Sequence, residues 1–387
     1  MTGCRASGTN TDLRLLRELV AIDTDSLRKS NYETMAKLLT DALSSIGAKT
    51  TTISPRAQDG KPRPNIIGRI DNGSKETLAL NAHYDIVPVD KRDWKYDPFD
   101  VTVIGDKAFG RGTNDDKGGI VAALAAVKSA RKAPNLEIFF TCDEESGSEF
   151  GMAAVAQTMR GKIKSSNALV LDGESIPSIG GSGGIGGSLV FKGKEFHAGF
   201  PFMAVNPIDA ALPFLTELNQ FKELVAEDVS KYTDAGTGRR PYGRFNITMM
   251  NGSVKENLIP GTLEVRFDMR CIPEGSVSEI VGRFRRYFDA LKKKTRTKVI
   301  FKVLYKHEPY LTAEDSPIVK AAQEITGERE LHASFGGNDG AYFVGLGVPA
   351  VSYGLFNESA HRANEYVSLR EMERVERNVT RIIESFG

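Results

Sequence analysis

Residues Gly110 to Gly119 read GRGTNDDKGG: glycines that open a tight turn, two adjacent aspartates, and the start of a helix directly behind them. Two neighbouring carboxylates repel each other unless cations or hydrogen-bond donors sit between them, so the Asp115–Asp116 pair beside Lys117 points to a bound cation. An acidic cap on the following helix is the alternative that the segment alone leaves open. The surrounding chain favours the cation. Upstream, the alternating apolar strand of ETLALNAHYDIVP ends on His83 and Asp85, whose side chains leave on one face. An imidazole there can bind a metal while a carboxylate orients a ring. Downstream, LEIFFTC runs into Asp143, Glu144 and Glu145, LVLDGE carries Asp172 and Glu174, and ESAHRANE carries His361. Strand ends are where open α/β sheets bind ligands.

A chain of 387 residues exceeds one compact core of ordinary size, so two domains are expected. Strands in KTTTIS, NIIGRI and TLALNA alternate with helices in TDLRLLRELVAI, NYETMAKLLTDALSSIGA and GIVAALAAVKSARK, which predicts an α/β fold with a mostly parallel sheet flanked by helices. The texture changes at Ile179 to Gly187, IGGSGGIGG, read as a flexible junction. No GKS or GKT follows it and no helix opens there, which argues against a nucleotide loop.

Lys plus Arg number 51 against 50 Asp plus Glu, a balance that argues against nucleic-acid and membrane-surface partners. Cys4, Cys142 and Cys271 show no paired spacing, which fits a reducing compartment. With no membrane-length apolar run and no secretory leader pattern, a cytoplasmic location is expected.

The ordered set AHYDIVP, DWKYDPFDVTVIGDKAFGRGTNDDKGG, TCDEESGSE, LDGES, KGKEFHAG, NLIPGTLEVRFDMR, GGNDGAYF and SAHRANEY spans nearly the whole chain. It resembles the M20 family of dinuclear zinc peptidases and amidohydrolases. The resemblance implies a Zn-peptidase-like catalytic domain in two parts, residues 1–182 and 298–387. Between them it implies an inserted α+β, ferredoxin-like lid and dimerisation domain, residues 183–297, built from a four-stranded antiparallel sheet and two helices. It also implies two divalent metal ions, zinc with cobalt or manganese as alternatives. Asp115 matches the bridging aspartate, with the Asp115–Asp116 peptide held cis. His83 and one acid of LDGE bind one metal, and Glu145 and His361 bind the other. Glu144 is left as general base and acid, with Asp85 beside it.

Many relatives carry the fifth ligand as the Glu of a GEP or FEP motif, whereas this chain has Asp172, Gly173, Glu174 and Ser175. The PepV-like pattern favours Asp172, with Glu174 in reserve. His197 matches a lid histidine that relatives bring to the neighbouring subunit's site to stabilise the oxyanion, which implies a homodimer. Asn257 and Arg270 match lid positions that contact substrate. Arg270 can grip a carboxylate with its forked guanidinium, and a structural ion pair on a strand explains it equally well. Gly336 and Gly337 can offer backbone donors, although a plain turn explains them too. His307 and His332 lie in no chemical motif.

The implied activity is hydrolysis of the amide bond of an N-acyl amino acid, of the acetylornithine deacetylase or succinyl-diaminopimelate desuccinylase type. A dipeptidase or metallo-carboxypeptidase is the close alternative. A third reading from another class is a metal-free binding or scaffold module. Its mark would be loss of Glu144 or of the ligands, and all of them are present.

Overall fold

The computed structural model describes residues 9–253, 255–295 and 297–387, the first four by backbone alone, so Cys4 lies outside the described residues. The helices Thr9–Val20 and Tyr32–Ser45 lie where the apolar stripes predict them. Tyr32, Met35, Ala36, Leu39 and Leu43, spaced at helical intervals, face the core.

The strand Thr77–His83 is buried at every position, which explains its near-continuous apolar run: it lies inside the sheet with helices over both faces. Its neighbours Asn135–Thr141 and Asn167–Val170 run parallel to it, and Ala350–Ser352 runs parallel to the latter. Away from this centre the sheet turns antiparallel, through Asn65–Ile70 and Lys49–Ile53 on one side and Ser178–Gly181 and Tyr310–Leu311 on the other. His332–Ser334 pairs with Ser178–Gly181, giving nine strands among the described residues.

Alternate residues of the central strand serve opposite faces. Leu78, Leu80 and Ala82 join one core with Ile120 and Leu124 of helix Lys117–Ser129 and Val375 and Val379 of helix Leu369–Phe386. Ala79 joins another with Met152 and Val155 of helix Met152–Thr158 and with Phe343 of helix Gly340–Gly345.

A second, four-stranded antiparallel sheet runs in the order Arg244–Asn251, Thr262–Cys271, Gly183–Lys192, Val299–His307. Helices Pro207–Asn219, Phe221–Ala226 and Val277–Lys292 pack on it around Phe214, Phe221, Phe245, Phe267 and Phe284. The sequence reading returns the chain to the first unit at residue 298. Val299–His307 pairs with Gly183–Lys192, and the next strand of the large sheet is Tyr310–Leu311. Only Ser182 separates the strands Ser178–Gly181 and Gly183–Lys192, and only Glu308 and Pro309 separate Val299–His307 from Tyr310–Leu311.

The glycine run is not a flexible junction. Ser178–Gly181 and Gly183–Lys192 are buried strands, and the glycines are there because neighbours press on the backbone. A Cβ on Gly187 would lie 2.2 Å from the Phe267 ring, and one on Gly186 would lie 2.2 Å from the Tyr305 ring. Cys142 and Cys271 are free and buried. Among the described residues, no helix is long and apolar enough to cross a membrane.

Candidate metal centre

The candidate ligands come from the ends of the parallel strands. His83 is the last residue of its strand, Glu144 and Glu145 open a single 3-10 turn just after Asn135–Thr141, and Asp172 follows Asn167–Val170. Asp115 and Asp116 stand immediately before helix Lys117–Ser129, and their peptide bond is cis. Asp143 and His361 adopt left-handed backbone conformations, φ 66° and 62°, so the chain turns sharply at both loops.

These segments bring six side chains together in two groups of three, His83 with Glu144 and Asp172, and Asp115 with Glu145 and His361. Within each group the donor atoms lie within 4.8 Å of one another. Asp115 joins the groups: its Oδ1 is 3.0 Å from Nε2 of His83 and its Oδ2 is 2.9 Å from Nε2 of His361. Nδ1 of His83 pairs with the carbonyl of Asp85 at 3.0 Å, which leaves Nε2 to face Asp115 and the other donors.

Asp85 also fixes the Glu144 turn. Its Oδ1 accepts the Glu144 N–H at 3.2 Å and its Oδ2 accepts the Glu145 N–H at 3.3 Å. Asp116 accepts the backbone N–H of His83 at 3.3 Å and makes no side-chain cap bond to the helix it precedes. The acidic pair therefore belongs to the centre and does not serve as a cap.

Electrostatics at the centre follow from crowding acids out of water. Burial and then Asp172 push Glu144 well above the ordinary carboxylate range, and burial and then Asp115 raise Glu145. Asp172 is pushed up to about 7 by burial and then Asp115. Asp115 goes the other way: burial opposes its charge, but hydrogen bonds from His361 and His83 hold it below the usual range. His361 is raised to about 10 by Asp115 and then Glu145. Burial works against a charged His83, and the Asp115 and Asp85 contacts outweigh it.

This donor set fits divalent cations. Four carboxylates and two imidazoles supply only oxygen and nitrogen donors, and buried like charges of this density need a compensating cation. Oε1 of Glu145 is buried 3.2 Å from Nε2 of His361 without a well-formed hydrogen bond, so a cation between the two would satisfy both.

Asp172 stands in the first group, whereas Glu174 does not. Glu174 lines a cavity of about 250 Å³ that Asp172 also borders, beside Asp234, where burial and then Asp234 push it up to about 7. Arg270 and Gly337 lie on a cavity of about 330 Å³ that also touches Glu144, Glu145 and His361. The Arg270 guanidinium pairs with Asp268 on its own strand through Nε and Nη2, the structural ion pair the sequence had allowed. Gly336 lines the other cavity, and its N–H donates to Ser334 Oγ at 3.0 Å.

His197 and Asn257 are not among the residues lining either cavity. They lie together on an exposed two-stranded ribbon, Phe196–His197 against Leu258–Ile259, with the Asn257 carbonyl accepting the Ala198 N–H. Four residues of the 330 Å³ cavity were not site candidates in the sequence reading: Ser146 and Gly147 beside Glu145, and Tyr305 and His307 on the small sheet. His307 is buried, and burial and then Arg270 lower it to about 4. It had no motif to mark it, because its surroundings arise only when the small sheet packs beside the Glu144 turn.

Residues 79–385 match peptidase family M20/M25/M40. Succinyl-diaminopimelate desuccinylase of Psychrobacter arcticus is 29% identical over 330 residues, covering 81% of this chain and 79% of that protein. Among solved structures, the M20 family metallo-carboxypeptidase Sso-CP2 from Sulfolobus solfataricus has a TM-score of 0.79 at 19% identity, covering 97% of this chain and 99% of that one. Human carnosine dipeptidase 1 has a TM-score of 0.75 at 18% identity, covering 98% and 97%. At such identities the two structures speak for the fold alone. The family match runs across most of the chain, from within the strand that carries His83 to the carboxy-terminal helix. This chain therefore belongs to peptidase family M20/M25/M40 and is a metal-dependent hydrolase of amide or peptide bonds.

Proposed function

We propose that the chain hydrolyses the amide bond of an N-acyl amino acid, in the manner of the deacetylases and desuccinylases, with two divalent ions that are zinc, or alternatively cobalt or manganese. The observation that carries this reading is Asp115, one carboxylate whose two oxygens each face the histidine of a different donor group. In this reading His83 and Asp172 hold one ion, Glu145 and His361 hold the other, and Asp115 is shared. Ions held there would polarise a bound carbonyl and make water a usable nucleophile near neutral pH.

Glu144 then takes a proton from the attacking water and returns it to the amide nitrogen as the C–N bond breaks. Support for this comes from its position beside His83 and Asp172 and from its high proton affinity, set first by burial. Asp85 keeps the Glu144 turn in place through the two backbone N–H groups it accepts. Asp268 grips the Nε and Nη2 side of Arg270, which fixes the guanidinium plane and leaves the Nη1 side to receive a substrate carboxylate. Gly337 borders the same cavity and offers backbone to the same group.

The small sheet and its helices form the lid, residues 183–297 extended by the strand Val299–His307. His197 serves the neighbouring copy of a homodimer, and Asn257 lies beside it. The support is exposure: His197 stands on a surface ribbon near Phe200 and Phe202, which are 51% and 80% exposed. Free, buried Cys142 and Cys271 favour a reducing, cytoplasmic setting. A dipeptidase or carboxypeptidase activity is the second reading, favoured by the position of Asp172, rather than Glu174, in the donor group.

A panel of N-acetyl and N-succinyl amino acids and dipeptides, assayed with and without a chelator, tests the reading. The expected result is cleavage of one class, abolished by the chelator and restored by zinc or cobalt. A folded, zinc-supplied protein that cleaves no member of the panel would overturn it and favour a binding or scaffold module.

A further inference from the structure

Glu365 lies four residues beyond His361, fully buried, on the segment that also reaches back to the Asp115 loop. Both its oxygens are engaged there. Oε1 accepts the backbone N–H groups of Asn114 at 3.0 Å and Asp115 at 3.3 Å, and Oε2 accepts Nη1 of Arg111 at 2.5 Å. The Glu365 carbonyl accepts the Gly110 N–H at 3.0 Å. Arg111 is itself buried, with its guanidinium 5.2 Å from the centre of the Trp94 ring. A second tie runs the same way, because the Asn114 side-chain amide donates to Asn357 Oδ1, Ser359 Oγ and the Tyr366 carbonyl.

We propose that Glu365, held by Arg111, is a positioning residue that sets the Asp115 loop in register with the His361 loop and so fixes the cation affinity of the Asp115, Glu145 and His361 group. The proposal rests on the reading of that group as a metal site. Its physical basis is that a buried carboxylate is tolerated only when paired and hydrogen-bonded, and here one of its bonds goes to the peptide N–H of Asp115 itself. The side chains of Asp115 and His361 meet at 2.9 Å across the gap that Glu365 spans. A shift of either loop therefore changes the spacing of two donors at once. Groups that orient metal ligands in this way typically contribute about 10–100-fold to metal affinity.

The test uses the full chain with Glu365→Gln and Arg111→Lys. The first keeps the shape of the side chain but leaves either Arg111 or the loop N–H groups without an acceptor. The second keeps the charge but replaces the planar guanidinium, set 5.2 Å from the Trp94 ring, with an ammonium that cannot take its place at a buried pair. Zinc retention is read by competition with a chromogenic chelator, alongside circular dichroism and thermal unfolding of the metal-free proteins. The chelator concentration that strips half of the more weakly held zinc is expected to fall about 10–100-fold in each variant. The effects should be less than additive in the double variant, because both act through one carboxylate.

Folded variants that hold zinc as the wild type does would overturn the proposal. So would a lower unfolding temperature with unchanged zinc retention, since the pair would then brace the fold alone. A wild-type chain that takes up no zinc, cobalt or manganese would instead refute the metal reading of the donor group, and this inference with it.

Discussion

Replacing Glu144 with Gln separates two roles that its position allows, proton carrier and metal ligand. Its carboxylate lies within 4.8 Å of the donor atoms of His83 and Asp172, so distance alone permits either role. Gln preserves the volume and leaves untouched the backbone N–H bond to Asp85 at 3.2 Å, so the turn should keep its shape. What disappears is the ability to take and return a proton. A positioned general base contributes about 10²–10⁴ in rate, which corresponds to about 3–5 kcal/mol on the barrier. The expected outcome is a fall of that size in kcat with two metal ions per chain retained. Turnover on the best substrate of the panel and metal per chain by elemental analysis measure the two quantities separately. Glu145→Gln is the contrast, since loss of that ligand should lower metal content first. A Glu144→Gln protein that loses metal while keeping its rate per bound metal would refute the assignment and make Glu144 a ligand.

Two further outcomes are expected. His361, raised to about 10 by Asp115 and Glu145, holds a proton at neutral pH in the metal-free chain, and Asp172, raised to about 7, is partly protonated. Cations must displace those protons, so binding should release at least one proton per chain and tighten as pH rises. Calorimetry of zinc uptake in buffers of different ionisation enthalpy reads this, and an affinity equal at about pH 6 and about pH 8 would contradict it. His197→Ala should slow turnover without lowering metal content. Mixing it with Glu144→Gln should restore part of the activity if His197 crosses to a neighbouring chain, whereas no recovery would argue for action within one chain.

His83, Asp115, Glu144 and Glu145 stood out because they end apolar runs or follow a glycine turn where packing has no use for them, whereas His361, in the polar stretch NESAHRANE, was marked by the resemblance. Asp172 could be preferred over Glu174 only by resemblance, since both follow the same strand. The structure separates them because Glu174 turns toward Asp234 and Gly236, about sixty residues away in sequence. The glycine run was misread for a related reason. Glycine-rich sequence carries no record of the rings of Phe267 and Tyr305 that require it, and those rings arrive from strands formed much later in the chain. His307 is the same case on a functional surface: its strand alternates like any other, and its significance lies in what stands opposite.

Two crossings join the large and small sheets at Ser182 and at Glu308–Pro309, and they run side by side: a Cβ on Gly183 would lie 2.2 Å from the Pro309 nitrogen. A third tie stands apart from these crossings: Thr233 bridges to His332, the Phe335 N–H donates to Asp234 Oδ2 at 3.2 Å, and Arg244 Nη2 donates to the Phe335 carbonyl at 2.7 Å. Any displacement of the small sheet against the large one would have to break these bonds as well as bend the two crossings, so Arg270 and Tyr305 are held beside Glu144 from two sides.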